Sequence, residues 1–234
     1  MLVFSMEPLT PLQKNTAQAI VNIFETGRPF GDYTRVTVRS GDAGHLSYGR
    51  SQVSLSSGML GEMLADYVGA PAGAYRAPLE RYLPRARSRD LTLDNDLNFR
   101  SLLHLAGSDL AMRRVQDSFF DHLYWDPAES AAARLGIATA LGRTVIYDSF
   151  IQGGFWRTAS AVPRAAEQKW IADYIEARRR ALLSGRPPLP SSAYRTVTFA
   201  QLIQLSNWNL TLPLTVHGVH LTSAMLLPPQ ALAA

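Results

Sequence analysis

Between residues 59 and 205 nearly every segment of this chain repeats its apolar residues at helical spacing, which leaves little room for a sheet. The spacing predicts helices over 59–68, 77–83, 97–105, 110–125, 126–135, 139–151, 164–183 and 199–205, with a charged connector over 85–96. Upstream, Tyr33-Thr34-Arg35-Val36-Thr37-Val38-Arg39 alternates and is rich in β-branched residues, as a strand requires. Ser40-Gly41-Asp42-Ala43-Gly44 then reads as a turn, His45-Leu46-Ser47-Tyr48 as a short return strand, and 50–57 as a polar loop. A weakly alternating terminal strand is expected over 214–221. The fold class is therefore α+β and mostly helical, with a small antiparallel sheet, organised as one domain (1–234) of two lobes joined by a long helix.

The first helix has readable ends. Thr10 is its cap, Pro11 its first-turn residue, and Gly27 its stop. Glu25 sits in the last turn, where the helix dipole disfavours a negative charge, and a partly apolar setting is expected around it. Asp42 follows seventeen residues later in a glycine-bracketed turn. Two carboxyl groups on separate elements suit glycoside hydrolysis, one as protonated acid and the other as base or nucleophile. Solvated turn residues would show the same spacing.

Other chemistries find less support. The chain has no cysteine, and His45, His104, His122, His217 and His220 lack metal-ligand spacing, so neither a metal nor a cofactor is expected. Residues 41–49 lack the lysine and following helix of a phosphate loop, and no Ser lies in a G-x-S-x-G elbow. No nucleic-acid motif is present, and no apolar run is long enough for a membrane span. The N-terminal residues show neither a basic region nor a signal-peptide stretch. Action outside the cytoplasm, in the periplasm or beyond it, would call for a secretion apparatus or a parent polypeptide.

Asp148 falls within a strongly apolar helix, where a carboxylate must be paired or protonated, and Arg178 on the long helix is a plausible partner. Such a pair either ties two helices together or also tunes Glu25. Of Trp125, Trp156, Trp170 and Trp208, at least two are expected in the core.

Taken together, these residues resemble the chitosanases of glycoside hydrolase family 46, within the lysozyme-like superfamily. The resemblance is carried by the helix ending in Glu25, by Gly41-Asp42 with Ser47-Tyr48-Gly49, and by Gln116-Asp117. It continues through Tyr124-Trp125-Asp126-Pro127-Ala128, Ala140-Leu141-Gly142, Tyr147-Asp148, Ala177-Arg178 and Asn207-Trp208-Asn209-Leu210. It implies two helical lobes with a cleft between them and the sheet at its side. Glu25 would be the general acid, Asp42 the base activating a water, and Ser47 would stand where the family has a water-holding threonine. Asp148, Arg178 and Arg195 match a charged network that sets the state of the acid. His45, Tyr48 and Arg50, close to the same turn, are expected to bind substrate. An inverting mechanism is implied, with room for a water between the carboxyl groups.

Two departures bear on the substrate. Met59 stands where a chitosanase reads the glucosamine amine with an acid, and Gly44-His45 replaces an arginine after the catalytic Asp. The net charge is +4, with 21 of the 23 basic residues being arginine, which suits an anionic polymer better than a polycation. The substrate expected on these grounds is peptidoglycan, cut at β-1,4 bonds in the manner of a lysozyme, with chitosan as the alternative polysaccharide. A wall- or DNA-binding module without activity is the third reading. An immunity protein is a conceivable further partner.

Overall fold

The computed structural model describes residues 7–38 and 43–227. Helix α1 (Pro11–Thr26) opens the chain. Strands β1 (Val36–Thr37), β2 (Ser47–Tyr48) and β3 (Val53–Ser54) follow, then α2 (Met59–Gly69), α3 (Arg76–Glu80) and α4 (Leu83–Arg87). A 3-10 turn (Leu91–Asn95) leads to α5 (Leu97–Ala106) and α6 (Leu110–Phe120), and a π-helical stretch (Asp121–Trp125) to α7 (Asp126–Leu135). The remainder is α8 (Ala140–Gln152), α9 (Phe155–Ala159), α10 (Glu167–Leu183), α11 (Tyr194–Gln204), β4 (Leu214–Val216), β5 (Val219–Leu221) and α12 (Ser223–Leu226).

These elements form two compact units, one of residues 1–30 with 124–234 and one of residues 31–123. The longest helix, α10, lies wholly within the first. There α8 is the central element. Ten of its thirteen residues are buried, and it packs against α1, α7, α9, α10 and α11. Thr139 caps it by accepting from the Gly142 N–H, and Glu167 in turn accepts from the Thr139 N–H at 2.8 Å and its hydroxyl at 2.6 Å. Trp125 and Trp170 are in this core, whereas Trp156 is half exposed beneath the Arg134 guanidinium.

In the second unit β1, β2 and β3 form an antiparallel sheet in that order, with Val36 opposite Tyr48 and Tyr48 opposite Val53. Its core gathers Leu46, Tyr48, Val53 and Leu55 with Leu60, Met63, Leu64 and Tyr67 of α2 and Phe99, Leu103 and Met112 of α5 and α6.

Several boundaries differ from expectation. Beta-3 lies in the stretch read as a loop, because Val53 and Leu55 turn inward while Ser54 and Ser56 do not. The run over 214–221 is a hairpin of two strands, turned at His217-Gly218, both of positive φ. Asp126 does not cap α7: helical backbone continues into it from Trp125, so the start signal of Asp-Pro is overridden by the preceding π-helical turn. Alpha-11 begins five residues earlier than the periodicity suggests, since Tyr194, Arg195 and Thr196 face inward with polar groups.

Candidate active site

The end of α1 is fixed from both directions. Thr10 and Gln13 form a reciprocal capping box, and Gly27 closes the helix at φ 73°, its N–H returning to the Ile23 carbonyl. Glu25 in the last turn is therefore set on a rigid element. Its side chain is 42% exposed. Its neighbour is a guanidinium rather than the apolar surroundings expected: Arg195 Nη2 donates to Glu25 Oε1 at 2.6 Å.

Behind this contact lies a buried chain of charge. Arg195 Nη1 donates to Asp148 Oδ1 at 2.9 Å, and Arg178 Nη2 donates to Asp148 Oδ2 at 3.1 Å. Asp148 is fully buried, Arg178 and Arg195 nearly so. Both carboxylate oxygens of Asp148 are thus spent on two cations, and Arg178 also donates to the Gln152 side chain one turn further along α8. Burial alone would pull the Arg195 pKa down. The charges and hydrogen bonds of Asp148 and Glu25 outweigh it and hold Arg195 above the ordinary arginine value. Arg195 is accordingly a permanent cation facing Glu25, its orientation fixed by the anion behind it.

In the second unit, Ser47 opens β2, opposite Thr37 and Ser54. The preceding turn is anchored by Asp94, whose Oδ1 accepts from the Leu46 N–H at 2.9 Å and whose Oδ2 meets His45 Nδ1 at 2.7 Å. His45 holds a left-handed conformation, φ 58°, and its ring is partly exposed. Asp42 lies outside the described residues. Two expected substrate contacts are corrected. Tyr48 is fully buried in the unit's core, where desolvation pushes its phenol well above the ordinary tyrosine range. Arg50 has its guanidinium covered, paired with Asp117 and set over the rings of Tyr33 and Phe120. Both side chains are spent on support. No cluster of potential metal ligands occurs among the described residues.

Comparison with known proteins fits this geometry. The family model described as "Glycosyl hydrolase family 46" matches residues 62–214. The chain belongs to glycosyl hydrolase family 46. It is a glycosidase. A chitosanase of Bacillus subtilis (strain 168) is 27% identical over 231 residues, covering 88% of this chain and 82% of that protein. The native chitosanase of Bacillus subtilis MY002 superposes with a TM-score of 0.72 at 26% identity, over 92% of this chain and 99% of its own. A mutant of that enzyme was solved with 6 GlcN. A family 46 chitosanase of Gynuella sunshinyii in complex with chitotetraose shares the fold, with a TM-score of 0.71 at 24% identity and coverage of 92% and 98%.

For a family 46 glycosidase, the structure brings Glu25, Arg195, Asp148 and Arg178 into one connected chain, while Ser47 and His45 share a separate, Asp94-anchored turn. The segment matched by the family model begins after Glu25 and after this turn. Gln152 and Asp94 carried no readable signal of their own. An amide at a helix end and an acid in a charged connector are ordinary surface residues until the fold supplies their partners.

Proposed function

We propose that this glycosidase is a chitosanase, hydrolysing β-1,4 bonds between glucosamine units of chitosan with inversion, Glu25 acting as acid and Asp42 as base. The observation that carries the reading is the likeness to chitosanases over about nine-tenths of the chain, including an enzyme solved with glucosamine units. The net charge does not favour peptidoglycan over chitosan. Residues 31–123 carry eleven arginines against eleven acidic residues, so the surplus lies elsewhere in the chain. There the set of Arg178 and Arg195 with Asp148 and Glu25, and the pair of Arg143 with Glu129, are each neutral, so the surplus belongs to other basic residues of 1–30 and 124–234. Net charge is then a poor guide to the field that a sugar amine meets.

In the proposed reaction, Glu25 gives its proton to the glycosidic oxygen as the C–O bond breaks, and Asp42 takes a proton from the water that attacks the anomeric carbon. Ser47 helps hold that water. The Glu25 carboxylate left behind keeps its hydrogen bond from Arg195, which strengthens as the acceptor becomes an anion. His45, through the ring edge not held by Asp94, is a candidate for contact with a sugar hydroxyl. Work on such a polymer would take place outside the cytoplasm.

Incubation with chitosan and with purified peptidoglycan, followed by identification of new reducing ends, tests the substrate. Glucosamine oligomers from chitosan alone are expected. Muropeptides from peptidoglycan without products from chitosan would overturn the proposal. NMR of the first turnover should show the α-anomer at the new reducing end if the reaction inverts.

A further inference from the structure

The Phe24 carbonyl, immediately before Glu25, is held from outside its helix. In an unbroken helix the N–H of Arg28 would point to it, but that N–H donates to the Thr26 hydroxyl at 3.2 Å, and the chain turns away at Gly27. The Tyr194 hydroxyl donates to the Phe24 carbonyl instead, at 2.7 Å. Tyr194 and Arg195 are consecutive on the first turn of α11, and Phe24 and Glu25 are consecutive on the last turn of α1. One pair therefore grips the other, Tyr194 by the backbone and Arg195 by the carboxylate.

The grip is braced by two further rings. The Phe24 ring meets Tyr194 edge-on at 5.7 Å, and the Arg195 guanidinium lies 5.4 Å from the Phe24 ring. On another side the His217 ring stacks on Tyr194 at 4.6 Å with an interplanar angle of 29°. His217 is exposed at the tip of the β4–β5 hairpin and holds φ 47°, a conformation that costs a non-glycine residue energy and that this stack helps to repay.

From this geometry we infer that Tyr194, braced by His217, is a positioning residue for the general acid: it fixes the last turn of α1 so that Glu25 meets the glycosidic oxygen in a single orientation. The inference rests on the proposed role of Glu25. Proton delivery depends steeply on placement, so a freed carbonyl should cost rate rather than substrate affinity.

Tyr194→Phe removes the hydroxyl and keeps the ring. We expect kcat on chitosan to fall about tenfold with KM unchanged, while hydrolysis of a glucosamine-oligomer β-fluoride, whose leaving group needs no proton, stays within twofold of the original. His217→Ala, at an exposed position, should give the same pattern on a smaller scale, about threefold. Equal losses on chitosan and fluoride, or a Tyr194→Phe kcat within twofold of the original, would overturn the clamp. Glu25→Gln separates the two levels. If it abolishes turnover while Tyr194→Phe does not matter, the clamp fails alone; if it leaves turnover intact, the acid assignment fails and takes the clamp with it.

Discussion

The two units solve the problem of polar burial in opposite ways. The unit built on α8 buries four ionised side chains, Arg143, Asp148, Arg178 and Arg195. In the unit of residues 31–123, Gln116 is the buried polar residue among those described, and the covered guanidinium of Arg50 leans on a half-exposed Asp117 at the rim. Ionised groups removed from water lose several kcal/mol each of hydration, which mutual attraction offsets only with good geometry. A core that, like the second unit's, covers one guanidinium and leaves its carboxylate partner at the rim is the cheaper way to fold. Three of the four buried charges in the first unit form the chain that ends at Glu25, so the unit with the costlier core is also the one that holds the proposed acid.

That contrast can be broken most directly at its exposed end. Glu25→Gln should lower kcat by roughly 10²–10⁴-fold, the usual worth of a positioned proton donor. Stability should change by no more than about 1 kcal/mol, because the side chain is half exposed and the amide oxygen can still accept from Arg195. Steady-state kinetics on chitosan beside a urea melt reads both. A residual kcat within tenfold of the original would remove Glu25 from its role.

The next largest effect lies one step inward. Asp148→Ala leaves two buried guanidinium groups facing each other without their anion, and a loss of about 3–5 kcal/mol of folding free energy is expected. Replacing Asp148, Arg178 and Arg195 together by leucine and methionine should recover most of that stability, since an apolar core of similar volume needs no pairing. Activity should not return with it. If the triple variant were both stable and active, the network would be mere structure and the contrast between the units would lose its functional meaning.

Much of this is legible in the sequence. Thr10, Pro11 and Gly27 announce α1 because capping chemistry is local, and Asp148 stands out because a carboxylate in an apolar helix needs a partner. What the residues alone could not carry was pairing between distant elements. Gln152, Asp94 and Tyr194 act through partners 26, 48–49 and 170 positions away, and no local pattern encodes such distances. Beta-3 does not stand out because the alternation of Val53-Ser54-Leu55-Ser56 is one short run inside a serine-rich stretch that reads equally as a polar loop. The preference for peptidoglycan failed to gain support for a related reason: a sum over the chain does not say in which unit the surplus lies.

In the second unit the matching test is Gln116. Its amide accepts from the Arg50 N–H and donates to the Tyr33 carbonyl, both at 3.0 Å, and it lies so close to Gly49 that a Cβ there would sit 2.2 Å from its oxygen. Gln116→Leu strands one N–H and one carbonyl in the interior, at a cost of about 1–3 kcal/mol. A urea melt should show less damage than Asp148→Ala. Equal damage would mean that neutral and ionic burial are not distinguished here.

The smallest expected effect is the response to acid of a carboxylate held by neutral donors rather than by cations. Asp109 caps α6 and accepts from the Tyr67 hydroxyl at 2.6 Å, the Ala74 N–H at 2.8 Å and the Ala111 N–H at 2.9 Å. Burial, the largest single influence, raises its pKa, but these three neutral donors together outweigh it and hold the group below the ordinary carboxylate value of 3.8. A carboxyl whose folded pKa is depressed contributes stability that is present above the unfolded value and is lost as pH falls through the folded one. The wild type should therefore lose stability more steeply below pH 3.8 than Asp109→Asn, which has no proton to take up at that site. At neutral pH the same variant keeps its cap, since Asn accepts from the Ala111 N–H as well as Asp does. Its NH2 in place of Oδ2 leaves the Tyr67 hydroxyl and the Ala74 N–H without their acceptor, at a cost of about 1 kcal/mol. Parallel acid melts of the two proteins make the comparison, and identical slopes below pH 3.8 would show that the neutral donors around Asp109 do not hold its charge.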